Sequence, residues 1–330
     1  MNYLFVGVDI SKEVLDYAIV DQTHKRVVDQ GQVENNMEGI NEFIKQLKKL
    51  QINTTVWVCA EHTGRYGDLL VARMENKELR YSMVNSIEII RSSGMVRGKS
   101  DHIDAKRIGT YAATHYHKLK PTTSPSQTIR KIKVLLTSRD QYVRYRTAMK
   151  NALKALEITS ETLDLKKEIK CRKKEIKTLK QRVKDLEQEI VELIKSDYQL
   201  DENYQKTTQV TGVGPIAGAK FLVTTNNFTL FDNPRKFSCY CGLAPFEHTS
   251  GSSVKGKAKT SKLRNKDMKG IMFNAATSAI QYDQQLRTYY KRKIKQGKHK
   301  LSVINAVANK LVLRVFAVVN REKPYVNFSI

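Results

Sequence analysis

From position 3 to position 33 apolar and polar residues alternate in short runs. Tyr3–Asp9, Val14–Val20 and Arg26–Val33 each predict a strand, joined by short polar turns into a meander. The rhythm then changes: Ile40, Phe43, Ile44 and Leu47 recur at the spacing of one helix face, so Met37–Leu50 is predicted helical. A strand at Thr54–Cys59, a helix near Tyr66–Asn76, a short strand near Arg80–Val84 and helices near Ser86–Ser92 and Asp101–His115 follow. Three antiparallel strands followed by alternating helix and strand is the order expected of a ribonuclease-H-like α/β fold. In that order the first and fourth strands lie side by side.

Beyond Pro121-Thr122-Thr123-Ser124-Pro125, where Ser124 suits an N-cap and Pro125 the first helical position, the pattern is helical to about Ser196. Its second half carries heptads. Ile169, Ile176, Val183 and Ile190 fall at a, and Leu179, Leu186 and Leu193 at d, with Arg172 spoiling the first d. β-Branched a with Leu at d favours a parallel two-stranded coil between subunits; an antiparallel hairpin within one chain is the other arrangement this short seam allows. Val210 to Ala219 then reads as a Gly-Val-Gly turn entering a small-residue helix, similar to a helix-hairpin-helix element. Backbone N–H groups at such a helix start hold a phosphate at Gly212 and Gly214; a plain turn is the alternative. No Gly-Lys-Ser/Thr follows, so it is not a P-loop. The apolar stretch Leu301–Asn320 is expected to be core. The division expected is residues 1–120 for a catalytic α/β domain, 121–200 for a helical coiled-coil segment and 201–330 for a mainly helical C-terminal domain.

Charge narrows the function. A net charge of +25 over 330 residues points to a polyanionic partner, with nucleic acid ahead of an acidic membrane surface. Between Ser250 and Lys300 there are fourteen Lys or Arg and two Asp. Lys255, Lys257, Lys259, Lys262 and Arg264 lie in one basic loop, and Lys291, Arg292 and Lys293 form a second cluster beside Tyr289 and Tyr290; both suit phosphate contacts. No run of eighteen apolar residues predicts a membrane span, and the first strand begins without a basic leader. Cys59, Cys171, Cys239 and Cys241 fit neither a disulfide framework nor a zinc site, and two ordinary thiols are the better reading of Cys239-x-Cys241. A reducing, cytoplasmic setting fits.

Four carboxylates stand out against this background. Asp9 closes one apolar strand and Glu61 follows another; Asp101 and Asp104 open a helix and share a face. Strand-end and helical carboxylates that converge suit Mg²⁺, a hard cation that keeps open positions for water and phosphate. Phosphodiester chemistry on nucleic acid is the expectation.

At this point the residues match a known pattern. Gly7-Val8-Asp9-Ile10-Ser11-Lys12 with Leu15-Asp16, Glu61-His62-Thr63-Gly64-Arg65-Tyr66, and Arg97-Gly98-Lys99-Ser100-Asp101 to Asp104-Ala105 resemble the DEDD transposases of the insertion sequence 110 family, to which the Piv DNA invertase is related. Gly212-Val213-Gly214-Pro215, Gly242-Leu243-Ala244-Pro245 and Thr249-Ser250-Gly251 resemble the second domain of that family, so the resemblance runs along nearly the whole chain in order.

The resemblance implies a RuvC-like domain whose four acids, here Asp9, Glu61, Asp101 and Asp104, bind Mg²⁺. It also implies a serine nucleophile, here Ser250. Family members carry two serines before the glycine where this chain has Thr249-Ser250, and Ser252 and Ser253 add neighbouring hydroxyls. Arg97 and Lys99, beside Asp101, suit substrate phosphate. The implied partners are donor and target DNA and a structured guide RNA, on a homodimer that becomes a tetramer at synapsis. Two other classes remain: a RuvC-like nuclease or junction resolvase that uses water, and a dimeric nucleic-acid-binding protein with an inactive fold. Four mutually repelling carboxylates argue against the last.

Overall fold

The computed structural model describes residues 3–321 except 53, 63, 94–100, 245, 251–253 and 261–262; the side chains of 93, 101–102, 246–250 and 254–259 are outside that description too. The chain forms two compact units, Met1–Ser124 and Pro125–Ile330.

In the first unit the elements run β1 (Tyr3–Ile10), β2 (Val14–Asp21), β3 (Val27–Glu34), α1 (Met37–Leu50), β4 (Thr55–Glu61), α2 (Asp68–Asn76), β5 (Arg80–Val84), α3 (Ser86–Ser93) and α4 (Asp101–His115). The strands form one sheet in the order β3-β2-β1-β4-β5. β1 pairs antiparallel with β2 and parallel with β4, so the first and fourth strands are neighbours as the element order requires. The Ser11 hydroxyl donates to the Val14 carbonyl and accepts the Val14 N–H, closing the β1–β2 turn.

Strand alternation sends side chains to two separate cores. Val6, Val8, Leu15, Tyr17, Val56 and Val58 pack with Phe43 and Leu47 of α1 and Leu70 and Met74 of α2. Phe5, Val20, Trp57 and Cys59 face the other way, onto Ile108, Tyr111 and Ala112 of α4. Residues 120–124 then run along the edge strand: Thr122 N–H donates to the Tyr81 carbonyl and Ser82 Oγ to the Lys120 carbonyl.

The second unit contains α5 (Gln127–Thr159), α6 (Lys166–Lys195), α7 (Tyr198–Thr208), α8 (Pro215–Thr225), α9 (Pro234–Tyr240), the hairpin β6 (Phe246–Ser250) and β7 (Val254–Lys259), α10 (Lys266–Tyr282), α11 (Gln284–Lys295) and α12 (Lys300–Val319). Three details differ from the sequence pattern. The α5 cap is Ser126, which accepts the Ile129 N–H, while Ser124 bonds the Tyr81 hydroxyl in the first unit. The expected continuous helix to Ser196 breaks at 160–165. There Ser160 and Thr162 donate back to the Glu157 and Thr159 carbonyls, competing with the helical ladder. The chain reverses, and α6 packs antiparallel on α5 of the same chain with ion pairs Arg139–Glu187 and Lys173–Glu157.

Burial in α6 follows Val183, Leu186, Ile190 and Ile194, with Leu193 only half-buried. That spacing belongs to a straight helix on a globular core rather than to a sustained seven-residue seam. Ile194 packs with Ile129, Ile132, Leu200 and Leu222. α12 has the length and composition of a membrane span, yet its Val307, Ala308, Leu311, Val312 and Val315 are wholly buried, in the core formed with α9 and α10.

Candidate active site

The acidic site of the first unit follows from strand register. Asp9 lies directly opposite Asp16 across the β1–β2 pair. Parallel pairing of β1 with β4 runs to Val8 and Ala60, so Asp9 and Glu61 are the next residues on adjoining strands. Because alternation places directly paired residues on one face, Asp16, Asp9 and Glu61 form a row across three strands on the α4 side.

Glycine sets the height of α4 above that row. A Cβ at Gly7 would lie 2.2 Å from the Ala105 carbonyl oxygen and 2.2 Å from the Gly109 nitrogen, so only glycine lets the helix sit there. Tyr116, just past α4, has its ring 6.3 Å from those of both Tyr3 and Phe5 at the far end of β1. The helix therefore runs antiparallel to β1, and its first turn, carrying Asp101 and Asp104, points toward the Asp9 end. The four acids that sequence singled out thus approach one end of one sheet face, although they span more than ninety positions.

Their surroundings are specific. Glu61 accepts a short hydrogen bond from the Ser86 hydroxyl at the start of α3. Asp104 pairs with Arg107, one turn on, at 2.7 Å. Asp16 is buried and accepts the Gln32 amide at 3.2 and 3.3 Å. Asn35 braces the rim by donating to the Ser11 and Tyr66 carbonyls. Between the sheet and α4, burial pushes the Cys59 thiol up to about 12; burial, then the nearby Glu88 carboxylate, pushes the Tyr111 hydroxyl up to about 12. That layer stays uncharged. Sequence reading did not assign Asp16, Ser86 or Arg107. Asp16 was legible as an acid in a strand whose neighbours are apolar; the other two needed the tertiary fold.

Asp101 is the first residue of α4, and its side chain is outside the described residues, as are Arg97 and Lys99 altogether. Among the described residues no three His, Cys, Asp or Glu side chains are grouped closely enough to hold a metal ion. Asp9, Glu61 and Asp104 are hard carboxylate donors of the kind Mg²⁺ takes.

In the second unit Ser250 is the last residue of β6, across from Val254 of β7. The stem of this hairpin is tied down: Asn265 N–H donates to the Tyr240 carbonyl at 2.8 Å, Lys269 to the Gly242 carbonyl at 3.1 Å, and Asn305 to the Leu243 carbonyl at 2.6 Å. Lys255, Lys257 and Lys259 occupy alternate positions of β7; Lys262 lies outside the described residues. Arg264 packs over Gly242, which has positive φ. Lys291 and Arg292 are exposed on α11, and Lys293 half-buried. Gly212, at φ 95°, is backed by Ala275 and Ala279 of α10, so its position has a packing reason, whereas Gly214 caps α8 facing open space.

Two family models match this chain. One, described as Transposase, covers residues 6–157 and the acidic site; the other, described as Transposase IS116/IS110/IS902 family, covers 204–291 and the serine hairpin. The chain belongs to this transposase family. Among curated relatives, the Pilin gene-inverting proteins of Moraxella bovis and Moraxella lacunata are each 24% identical over 98% of both chains. An insertion element IS110 protein of Streptomyces coelicolor is 32% identical over 33% of this chain and 27% of its own. Among solved structures, T. thermophilus RuvC bound to a Holliday junction substrate is similar with a TM-score of 0.30 and 10% identity, over 36% of this chain and 99% of that one. Strand order, rather than that distant likeness, establishes the ribonuclease-H-like arrangement of the first unit. The transposase is accordingly an enzyme of DNA strand transfer.

Proposed function

We propose that this transposase cleaves and rejoins DNA by transesterification, with Ser250 as nucleophile and Asp9, Glu61, Asp101 and Asp104 as ligands of Mg²⁺. The observation that carries the reading is the acidic row at the Asp9 end of β1, with the first turn of α4 held over it by the Gly7–Gly109 contact. Mg²⁺ held by these carboxylates supplies Lewis-acid polarisation of the scissile phosphate oxygens.

The chain's own residues do the rest. Ser86 fixes the Glu61 carboxylate, and Arg107 holds Asp104, so the ligands are oriented before substrate arrives. The Ser250 Oγ attacks phosphorus; a phosphoserine ester bond forms as the strand's P–O bond breaks, and the departing oxygen takes up a proton. Attack by the hydroxyl of a second strand reverses the exchange. Ester bonds are conserved throughout, so strands change partners without hydrolysis. Transposition and inversion use this same exchange.

Donor and target DNA and a structured guide RNA are the partners of this reading, and the basic residues 255–264 and 291–293 are their phosphate contacts. Strand exchange between two DNA partners calls for a dimer that pairs into a tetramer. The test is donor-strand cleavage by purified protein with its transcribed flanking RNA, with and without Mg²⁺. Cleavage that needs the metal and is abolished by Asp9→Asn supports the reading; cleavage unaffected by Asp9→Asn refutes it.

A further inference from the structure

At the root of the serine hairpin the second unit carries a groove of about 410 Å³ between α5, α8 and the start of α10. Its α5 wall is a polar stripe, Lys133, Thr137, Gln141 and Arg144, at spacings of four, four and three residues, which is one helix face. All four are exposed, and neither Lys133 nor Arg144 forms an ion pair among the described residues. The opposite wall is Lys220 and Thr224 of α8, one turn apart.

Two carboxylates also face the groove. Asp140 is neutralised by Lys220 and by Arg139 at 3.1 Å. Asp267 lies in the first turn of α10, where the helix dipole accommodates its charge. Among the described residues the unpaired charges of the groove are therefore two cations, Lys133 and Arg144, against one carboxylate, Asp267, with the Gln141 amide between the cations.

We propose that this groove binds the sugar–phosphate backbone of a single nucleic-acid strand and leads it past the stem of the Ser250 hairpin. The inference rests on the recombinase reading above and names a substrate-holding surface for it. From Lys133 to Arg144 the stripe is about 16 Å long at 1.5 Å per residue, enough to place a phosphate contact at each end of a short run of backbone. A cation at each end with the Gln141 amide between, and the Thr224 hydroxyl on the facing wall, is a lining that a backbone takes without base reading. Position supports the same occupant: Asn265, which caps α10 and bonds Tyr240 at the hairpin stem, is itself part of the groove wall. Anything lying there runs alongside the fixed root of the strand that ends in Ser250.

The experiment is fluorescence anisotropy with a labelled single-stranded DNA twelve-mer and an RNA of the same sequence, titrated with wild type, with Lys133→Ala/Arg144→Ala, and with Lys45→Ala/Lys48→Ala on α1 as an equal loss of charge elsewhere. The groove variant is expected to bind one or both strands on the order of tenfold more weakly, and to flatten the plot of log K against log salt by about 1.4 for two lost phosphate contacts. The α1 variant should follow wild type. Loss confined to the DNA arm or to the RNA arm identifies which strand occupies the groove. A groove variant indistinguishable from wild type on both strands, or no weaker than the α1 variant, overturns the inference and leaves the recombinase reading standing. Absence of binding by wild type to either strand overturns both.

Discussion

Gly7→Ala is the most informative single change in the first unit. The added methyl would begin 2.2 Å from a backbone oxygen and a backbone nitrogen of α4 and 2.7 Å from the Gly109 Cα. Neither neighbour is a side chain that can rotate away. Restoring ordinary contact, which starts at 3.4 Å, requires the helix to lift from the sheet by about 1 Å. Overpacking of this kind costs about 3 kcal/mol when backbone must move. For a unit of this size that lowers Tm by on the order of 10 °C.

The functional effect exceeds the stability effect, because the same helix carries Asp101 and Asp104. A displacement of about 1 Å in a catalytic group costs on the order of a hundredfold in rate. The assay is a thermal melt paired with donor-strand cleavage at a temperature well below the variant's Tm. The expected result is a folded protein, about 10 °C less stable and about a hundredfold slower. Full cleavage by a destabilised variant would refute the claim that α4 sets the acids in place; unchanged melting and cleavage would refute the seating itself.

Gly270→Ala should do the reverse: nothing lies within 4 Å of a Cβ there, so removing a helical glycine from α10 should stabilise by about 0.5–1 kcal/mol, read as a higher Tm. Ser86→Ala removes the hydroxyl that fixes Glu61, and cleavage should fall about 10–100-fold while stability changes by only about 1 kcal/mol; equal cleavage at every Mg²⁺ concentration would contradict that role. Burial raises the Cys59 and Cys241 thiols to about 12, whereas Cys171 is exposed, so a thiol reagent at pH 8 should label Cys171 in the native protein and reach Cys59 and Cys241 only on unfolding. The same shifts fix a sign: between the ordinary value of 9.0 and about 12 the unfolded chain releases protons that the folded chain keeps, so stability should decline as pH rises above about 9.

Much of the first unit was readable because its elements are short and strongly patterned. α1 and β5 fall where the periodicity puts them, and the β1–β4 adjacency follows from element order alone. The convergence of Asp9 and Glu61 was legible for that reason. The approach of α4 was not, since the Gly7–Gly109 contact is a matter of shape that carries no periodicity. Ser86 and Arg107 were hidden likewise: each acts through a neighbour that only the fold supplies.

In the second unit the heptads identified the buried side of α6 but not its partner. Val183, Leu186 and Ile190 are satisfied within the chain by the antiparallel hairpin with α5, because hydroxyl-to-backbone bonds at Ser160 and Thr162 end the helix where apolar spacing alone continued it. Gly212 illustrates the converse. Its glycine identity suited a phosphate turn, yet packing against α10 and a positive φ already require it.

The central claim is a serine ester formed under control of the acidic row, and covalent trapping tests it most directly. Purified protein, its flanking RNA and end-labelled donor DNA are incubated with Mg²⁺, denatured and resolved by gel for DNA that migrates with protein. The account predicts an adduct with wild type that is lost in both Ser250→Ala and Asp9→Asn. Nicked DNA with free ends that survives Ser250→Ala and disappears only in Asp9→Asn would contradict it and make water, not serine, the nucleophile.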